Sequence, residues 1–191
     1  MTARGQTRRR MVTATMRLLR RRGLHGTGLQ DVLDESGAPR GSLYHHFPGG
    51  KEQLVQEAVD LAGERGEDWM RRGLEGAPTA AAAFAAMLEE YAVLLETSAF
   101  GSGCPVAAVA LDLGAEPGAL HAACGRALDR WAALLAERLR ADGVDAADAE
   151  SGALAAIAAF EGALLVSRAR RDASAVRAVA SRSAALLVSA A

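Results

Sequence analysis

Aromatic residues are scarce in this 191-residue chain: Phe, Trp and Tyr together supply 4% of it. Half of the residues are hydrophobic, but alanine provides much of that half, and no segment sustains an alternation of period two. Alanine favours helix and adds little to a pleated surface, so strands are excluded and an all-helical chain is expected. Cysteine is scarce as well. Cys104 and Cys124 form neither a CxxC pair nor a disulfide framework, and are expected to be small core or pocket residues. Long apolar runs are missing too. Arg17, Arg20, Arg21 and Arg22 interrupt the N-terminal segment, and the alanine-rich run near 77–88 is too short to span a bilayer. The expectation is a soluble, cytoplasmic protein without a membrane partner.

Charge is nearly balanced overall, with 22 basic and 23 acidic residues. The balance hides an asymmetry. Residues 1–51 hold ten basic residues against Asp31, Asp34 and Glu35, a net of +7, whereas the remainder carries −8. A basic head on an acidic body suits a module that binds a polyanion.

Apolar spacing predicts nine helices. Met11, Ala14, Thr15, Leu18 and Leu19 mark a first helix over about 5–22, with arginines on its other face. Thr27 and Gln30 have capping-box spacing ahead of Leu29, Val32 and Leu33, and Gly37 is placed to end that second helix. Pro39 fits the first turn of a third helix ending at Phe47, and Lys51 opens a long fourth. Further helices follow: one marked by Phe84, Met87, Leu88, Tyr91, Leu94 and Leu95, one over 106–113, one after Pro117 holding Leu120 to Leu139, and two over about 149–171 and 173–189.

Two short helices around a tight glycine-containing turn, behind an arginine-rich helix, describe a helix-turn-helix. In "SGAPRGSLYHHF", Arg40, Ser42, Tyr44, His45 and His46 are donors, while Leu43 and Phe47 are expected to seat the helix on Leu19, Val32 and Leu54. Residues 7–54 resemble the DNA-binding head of the TetR family of bacterial transcriptional regulators. The resemblance rests on Arg22-Gly23, Gly26-Thr27-x-Leu29, Ser36-Gly37, the run Gly41 to Phe47, and Lys51-Glu52-x-Leu54. "FPGGKEQL" and the later "GCPVAAVALD" resemble the LmrA/YxaF-like branch. Pro39 departs from the Ser or Thr common there.

The resemblance implies a three-helix head over 1–50 and a helical effector-binding and dimerisation body over 51–191. It implies phosphate contacts from Thr27, Tyr44 and Lys51, and base or groove contacts from Arg40, Gly41, Ser42 and His45. On chemistry alone, Arg40 reads a guanine bidentately or clamps a phosphate, and both readings stand. The run Arg8-Arg9-Arg10 is expected to meet phosphate.

Other chemistry finds no support. Adjacent His45 and His46 diverge by about 100° on a helix and cannot chelate one metal together. "PGGKE" lacks P-loop spacing, and "GSGCP" is not a nucleophile elbow. No nucleophile–base pair or metal triad stands in 74–191, so no enzyme, cofactor or metal is expected.

In the body, Trp69, Met87, Tyr91, Phe100, Cys104, His121, Trp131 and Phe160 are expected to line an effector cavity among alanines, oriented by few polar groups. The apolar stripes of the last two helices, with Leu154, Ile157, Leu165, Val176, Val179 and Leu187, are expected to form a homodimer interface, as in the resembled family. Glu161 interrupts the first stripe, as a partly buried carboxylate or as a ligand or dimer contact. The function so implied is a ligand-responsive repressor on a palindromic, double-stranded operator, released by a small apolar or aromatic effector. A DNA-binding regulator or architectural protein without an effector is the other reading.

Overall fold

The computed structural model describes residues 3–187. Among the described residues the chain is all helix and loop: α1 (Ala3–Arg22), α2 (Leu29–Ser36), a 3-10 turn (Arg40–Ser42), α3 (Leu43–His46), α4 (Gly50–Glu75), α5 (Ala80–Thr97), α6 (Pro105–Asp112), α7 (Ala119–Ala141), α8 (Ala146–Arg170), α9 (Ser174–Ser181) and α10 (Ser183–Leu187).

The all-helical expectation holds, with ten α-helices described where nine were expected. The last expected helix is two. The chain leaves helical geometry at Arg182 (φ −109°, ψ 8°). There the Ser183 hydroxyl donates back to the Val179 carbonyl at 3.3 Å, a local bond of the kind that bends helices. The expected capping box at Thr27 and Gln30 is also displaced. Gly28 caps α2, and its N–H donates to Asp31 Oδ2 at 3.0 Å. Gly37 does close α2, in left-handed geometry at φ +62° where a side chain would strain the backbone.

By its internal packing the chain divides into two compact units. The first comprises 1–64 and 104–127; the second comprises 65–103 and 128–191. Two of the three boundaries therefore fall within α4 and α7 and the third between α5 and α6, and α6 belongs with the helix-turn-helix.

In the first unit α1 packs on α2 and on α6. Met11, Leu18, Leu19, Val32, Leu43, Phe47 and Leu54 are fully buried there. Burying a side chain such as Phe47 contributes about 1.5–3 kcal/mol. In the second unit α9 packs on α5 and α8, and α10 on α5 and α8. Thr79 Oγ1 accepts the Ala82 N–H to start α5, and Asp145 Oδ1 accepts the Ala147 N–H to start α8. Arg138 ties the 74–80 loop. It donates to the carbonyls of Leu74 and Ala77 and pairs with Asp142, whose other oxygen accepts the Ala80 N–H at 2.5 Å.

By length and composition α8 is apolar enough to cross a membrane. Its residues Ala153, Ala156, Ile157, Phe160 and Leu164 are instead buried in the second unit.

Candidate nucleic-acid interface

The helix-turn-helix presents a polar rim on an apolar base. Leu43 and Phe47 are buried and seat α3, leaving Arg40, Gly41, Tyr44 and His45 exposed along the 3-10 turn and α3. Tyr44 is 67% exposed, far more than an aromatic ring needs for packing. Nothing lies within 4 Å of the position a Cβ on Gly41 would take, so another backbone can approach there. The Ser42 hydroxyl donates to the Pro39 carbonyl at 2.6 Å, which leaves its oxygen as an acceptor. The segment expected to be one helix from Pro39 is thus a 3-10 turn capped by Pro39 and followed by a single turn of α3.

One of the expected phosphate contacts is corrected. Thr27 is buried, and its hydroxyl donates to the Gly23 carbonyl at 2.7 Å. A hydroxyl has one proton to give, so Thr27 braces the α1–α2 turn and has none left for a phosphate, which only accepts. Arg8 pairs with Glu57 at 2.6 Å, and its guanidinium lies 5.2 Å from the centre of the Phe47 ring. It staples α1 to the end of α3 and to α4. Arg21 and Arg22 likewise pair with Glu35 and Asp31. Arg8, Arg21 and Arg22 are thus ion-paired within the head while keeping further N–H donors, and Arg9, Arg17 and Arg40 are exposed.

Lys51 is half-buried, and its Nζ donates to the Leu24 carbonyl at 3.0 Å. An ammonium has three protons, so two remain for a phosphate. Sequence reasoning missed Asp112, which meets the same turn from α6: its Oδ2 accepts the Leu24 N–H at 2.7 Å and the His25 N–H at 3.3 Å. A signal was available, since an acidic residue in the last turn of a helix opposes the helix dipole.

The expected effector residues do not converge as a set. Trp69, Tyr91 and Phe160 do meet, with ring centres 5.1–6.4 Å apart, two of the three pairs edge-on. Their polar handles are occupied: Trp69 Nε1 donates to Glu90 and the Tyr91 hydroxyl to the Gly103 carbonyl, both at 3.0 Å. Met87 and Trp131 are buried against the backbones of Gly73 and Gly66, where an added Cβ would lie 2.5 Å from their side chains. They fill space rather than line it. Phe100 lies beneath the Arg171 guanidinium at 5.8 Å. Cys104 and His121 belong to the first unit, where Cys104 Sγ accepts the Ala107 N–H to cap α6 and His121 Nε2 donates to the Gly114 carbonyl. A cleft of about 430 Å3 does open in the second unit, lined by Thr79, Ala81, Leu139, Asp142, Gly143, Val144, Asp145 and Asp148, none of them an expected effector residue. Burial pushes the Cys124 thiol up to about 11, with the nearby Asp60 carboxylate adding to the shift.

The expected dimer residues separate by exposure. Leu154 and Leu165 are 61% and 57% exposed, and Val166 beside them 42%. Glu161 and Val179 are half-buried. Ile157, Val176 and Leu187 are buried in their own unit and cannot also face a partner, which corrects their assignment. Among the described residues no group of three or more His, Cys, Asp or Glu side chains is placed to hold a metal ion.

Residues 12–58 match the model of the bacterial regulatory proteins of the tetR family, and residues 80–182 match that of the LmrA/YxaF-like transcriptional regulator C-terminal domain. An uncharacterized HTH-type transcriptional regulator of Mycobacterium tuberculosis is 41% identical over 170 residues, 86% of either chain. The HTH-type transcriptional regulator LmrA of Bacillus subtilis is 35% identical over 163 residues, 85% of this chain and 87% of its own. Among solved structures, Escherichia coli NemR in its reduced form shares the fold with a TM-score of 0.82 at 19% identity, over 93% of this chain and 94% of its own. The regulator CifR, a cysteine mutant bound to a 26-bp double-strand operator, has a TM-score of 0.76 at 27% identity, over 91% and 92%. The helix-turn-helix geometry and these relatives agree: this chain is a DNA-binding transcriptional regulator, not an enzyme, and belongs to the TetR family with an LmrA/YxaF-like C-terminal domain.

Proposed function

We propose that the chain acts in the cytoplasm as a homodimeric repressor, bound to a two-fold symmetric operator and released by a small apolar or aromatic effector. The observation that carries the DNA side is the exposed row Arg40, Gly41, Tyr44 and His45 on a base fixed by buried Leu43 and Phe47. Arg40 and His45 meet base edges or the groove, Gly41 and Ser42 allow the backbone to approach, and Tyr44 and Lys51 hold phosphates. Two heads are required, because one helix-turn-helix reads a single half-site. The exposed α8 stripe of Leu154, Leu165 and Val166, with small Ala158 and Gly162 between them, supports a helix-to-helix dimer contact edged by Glu161 and Val179. The CifR cysteine mutant, complexed with double-strand operator DNA, supports the DNA partner.

The Trp69–Tyr91–Phe160 cluster is the best candidate for effector contact, since Trp69 and Tyr91 remain half-exposed. The dense seating of Met87 and Trp131 favours the second reading, a regulator without an effector. One experiment separates them. The full-length protein is placed on a duplex recovered by in-vitro selection, and a panel of apolar and aromatic compounds is scored for raised melting temperature and for release of DNA. Release accompanied by stabilisation supports the effector. Stabilisation without release, or no hit, supports the second reading.

A further inference from the structure

Leu24, in the turn between α1 and α2, has both of its backbone groups taken by side chains from distant elements. Its N–H donates to Asp112 Oδ2 from the end of α6, and its carbonyl accepts from Lys51 Nζ at the start of α4. Asp112 is held twice more: Oδ2 also accepts the His25 N–H, and the Asp112 carbonyl, left without a helical partner at the end of α6, accepts from His25 Nε2 at 3.2 Å. The turn is shaped for this contact. Gly23 sits at φ +71°, and a Cβ there would fall 2.7 Å from Asp112 Oδ2. Glycine at 23 therefore serves twice, for its backbone conformation and for admitting the carboxylate. All these groups lie within the first unit.

A carboxylate in the last turn of a helix faces the negative end of its dipole, so Asp112 gains nothing within α6 itself. Its interactions are spent on the α1–α2 turn. Lys51, which donates to the carbonyl of the Leu24–His25 peptide whose N–H Asp112 accepts, is also a proposed phosphate ligand.

We propose that Asp112 is a positioning residue for DNA binding: through the Leu24–His25 peptide it links α6 to the Lys51 side of the DNA-contacting face, so that each responds to the other. The proposal rests on the DNA-binding reading above. Coupling between two sites is reciprocal, so DNA must act on α6 as α6 acts on DNA. No effector is needed to see it.

The test is amide hydrogen exchange on the full-length protein, free and bound to a duplex recovered by in-vitro selection. In the wild type the duplex should slow exchange at residues 40–51 and also, by about threefold or more, in α6. Asp112→Ala should keep protection at 40–51 and lose it in α6. Asp112→Asn, which can still place a neutral oxygen at the same point, should fall between and guards against an Asp112→Ala protein that fails to fold. Unchanged α6 protection in both variants would make Asp112 a merely structural contact and overturn the proposal. A wild type protected at 40–51 but not in α6 would overturn it while leaving DNA binding intact. Absence of protection at 40–51 would overturn the DNA-binding reading and this proposal together.

Discussion

The two units expose opposite chemistry. The first shows donors on a short scaffold: Arg40, Tyr44 and His45 stand out of a surface whose apolar residues are buried beneath them. The second shows an apolar stripe on α8, with Leu154, Leu165 and Val166 exposed among alanines and Gly162. A surface that meets a polyanion is specified by the side chains it has. A surface that meets a second copy of itself is specified largely by what it lacks, namely charge and bulk. The difference separates two costs of mutation. In the proposed dimer, losing one phosphate contact would weaken binding by one contact, whereas losing the dimer would remove the second head altogether.

The largest expected effect follows from that. Leu165→Glu should yield monomers by light scattering at micromolar concentration and lower operator affinity by about 100-fold or more, since linkage of two modules contributes about 10²–10⁴. The same substitution at buried Ile157 should instead lower the melting temperature of the protomer, which distinguishes interface from core.

Next comes the brace of the second unit. Arg138→Ala removes two bonds to backbone carbonyls and the partner of Asp142. Charge-assisted bonds of this kind are worth about 1.5–3 kcal/mol each when fully formed, and partial exposure reduces that, so a loss of about 2 kcal/mol is expected in denaturant unfolding. Operator affinity per folded dimer should be unchanged.

The first unit gives smaller, more specific effects. Arg40→Ala should relax preference at one base position by about 1–3 kcal/mol if it reads a guanine, and weaken all sequences alike if it clamps a phosphate. Tyr44→Phe and Lys51→Ala should weaken all duplexes alike, and the Lys51 variant should reduce the log–log salt slope by about 0.9.

A pH effect is smaller still. Burial pushes the Asp142 carboxyl up, but the Ala80 N–H and the Arg138 guanidinium outweigh it and hold the carboxyl below the ordinary aspartate range. A carboxyl lowered in the folded state stabilises the fold above its unfolded pKa, and that contribution is lost as pH falls through the folded value. Stability should therefore decline below about pH 4, and Asp142→Asn should make the decline shallower. Glu96 and Asp172, also held low by hydrogen bonds to Arg177 and Ser174, keep the remainder.

Much of the first unit was legible because its side chains are distinctive. Gly37, Leu43 and Phe47 each have one physical role that their type and spacing announce. Thr27 misled because a hydroxyl serves a phosphate or a neighbouring carbonyl equally well, and only packing decides. The second unit was less legible. α8 is apolar nearly all round, so its period offers no single face. Whether Ile157 or Leu165 turns outward is settled by α9 and α10, which cover one side. The effector set comes together only in part, in Trp69, Tyr91 and Phe160, for a related reason: large residues among alanines leave a cavity only if the facing helices stay apart. Gly66 and Gly73 instead let Trp131 and Met87 settle against the backbone.

The most direct test of the central claim is in-vitro selection from random duplexes with the full-length protein, followed by counting protomers on the recovered site. An inverted repeat, with half-sites about one helical turn or a multiple apart and an even number of protomers bound, is the predicted result. Recovery of no enriched sequence, or of a single half-site bound by one protomer at full affinity, would contradict it.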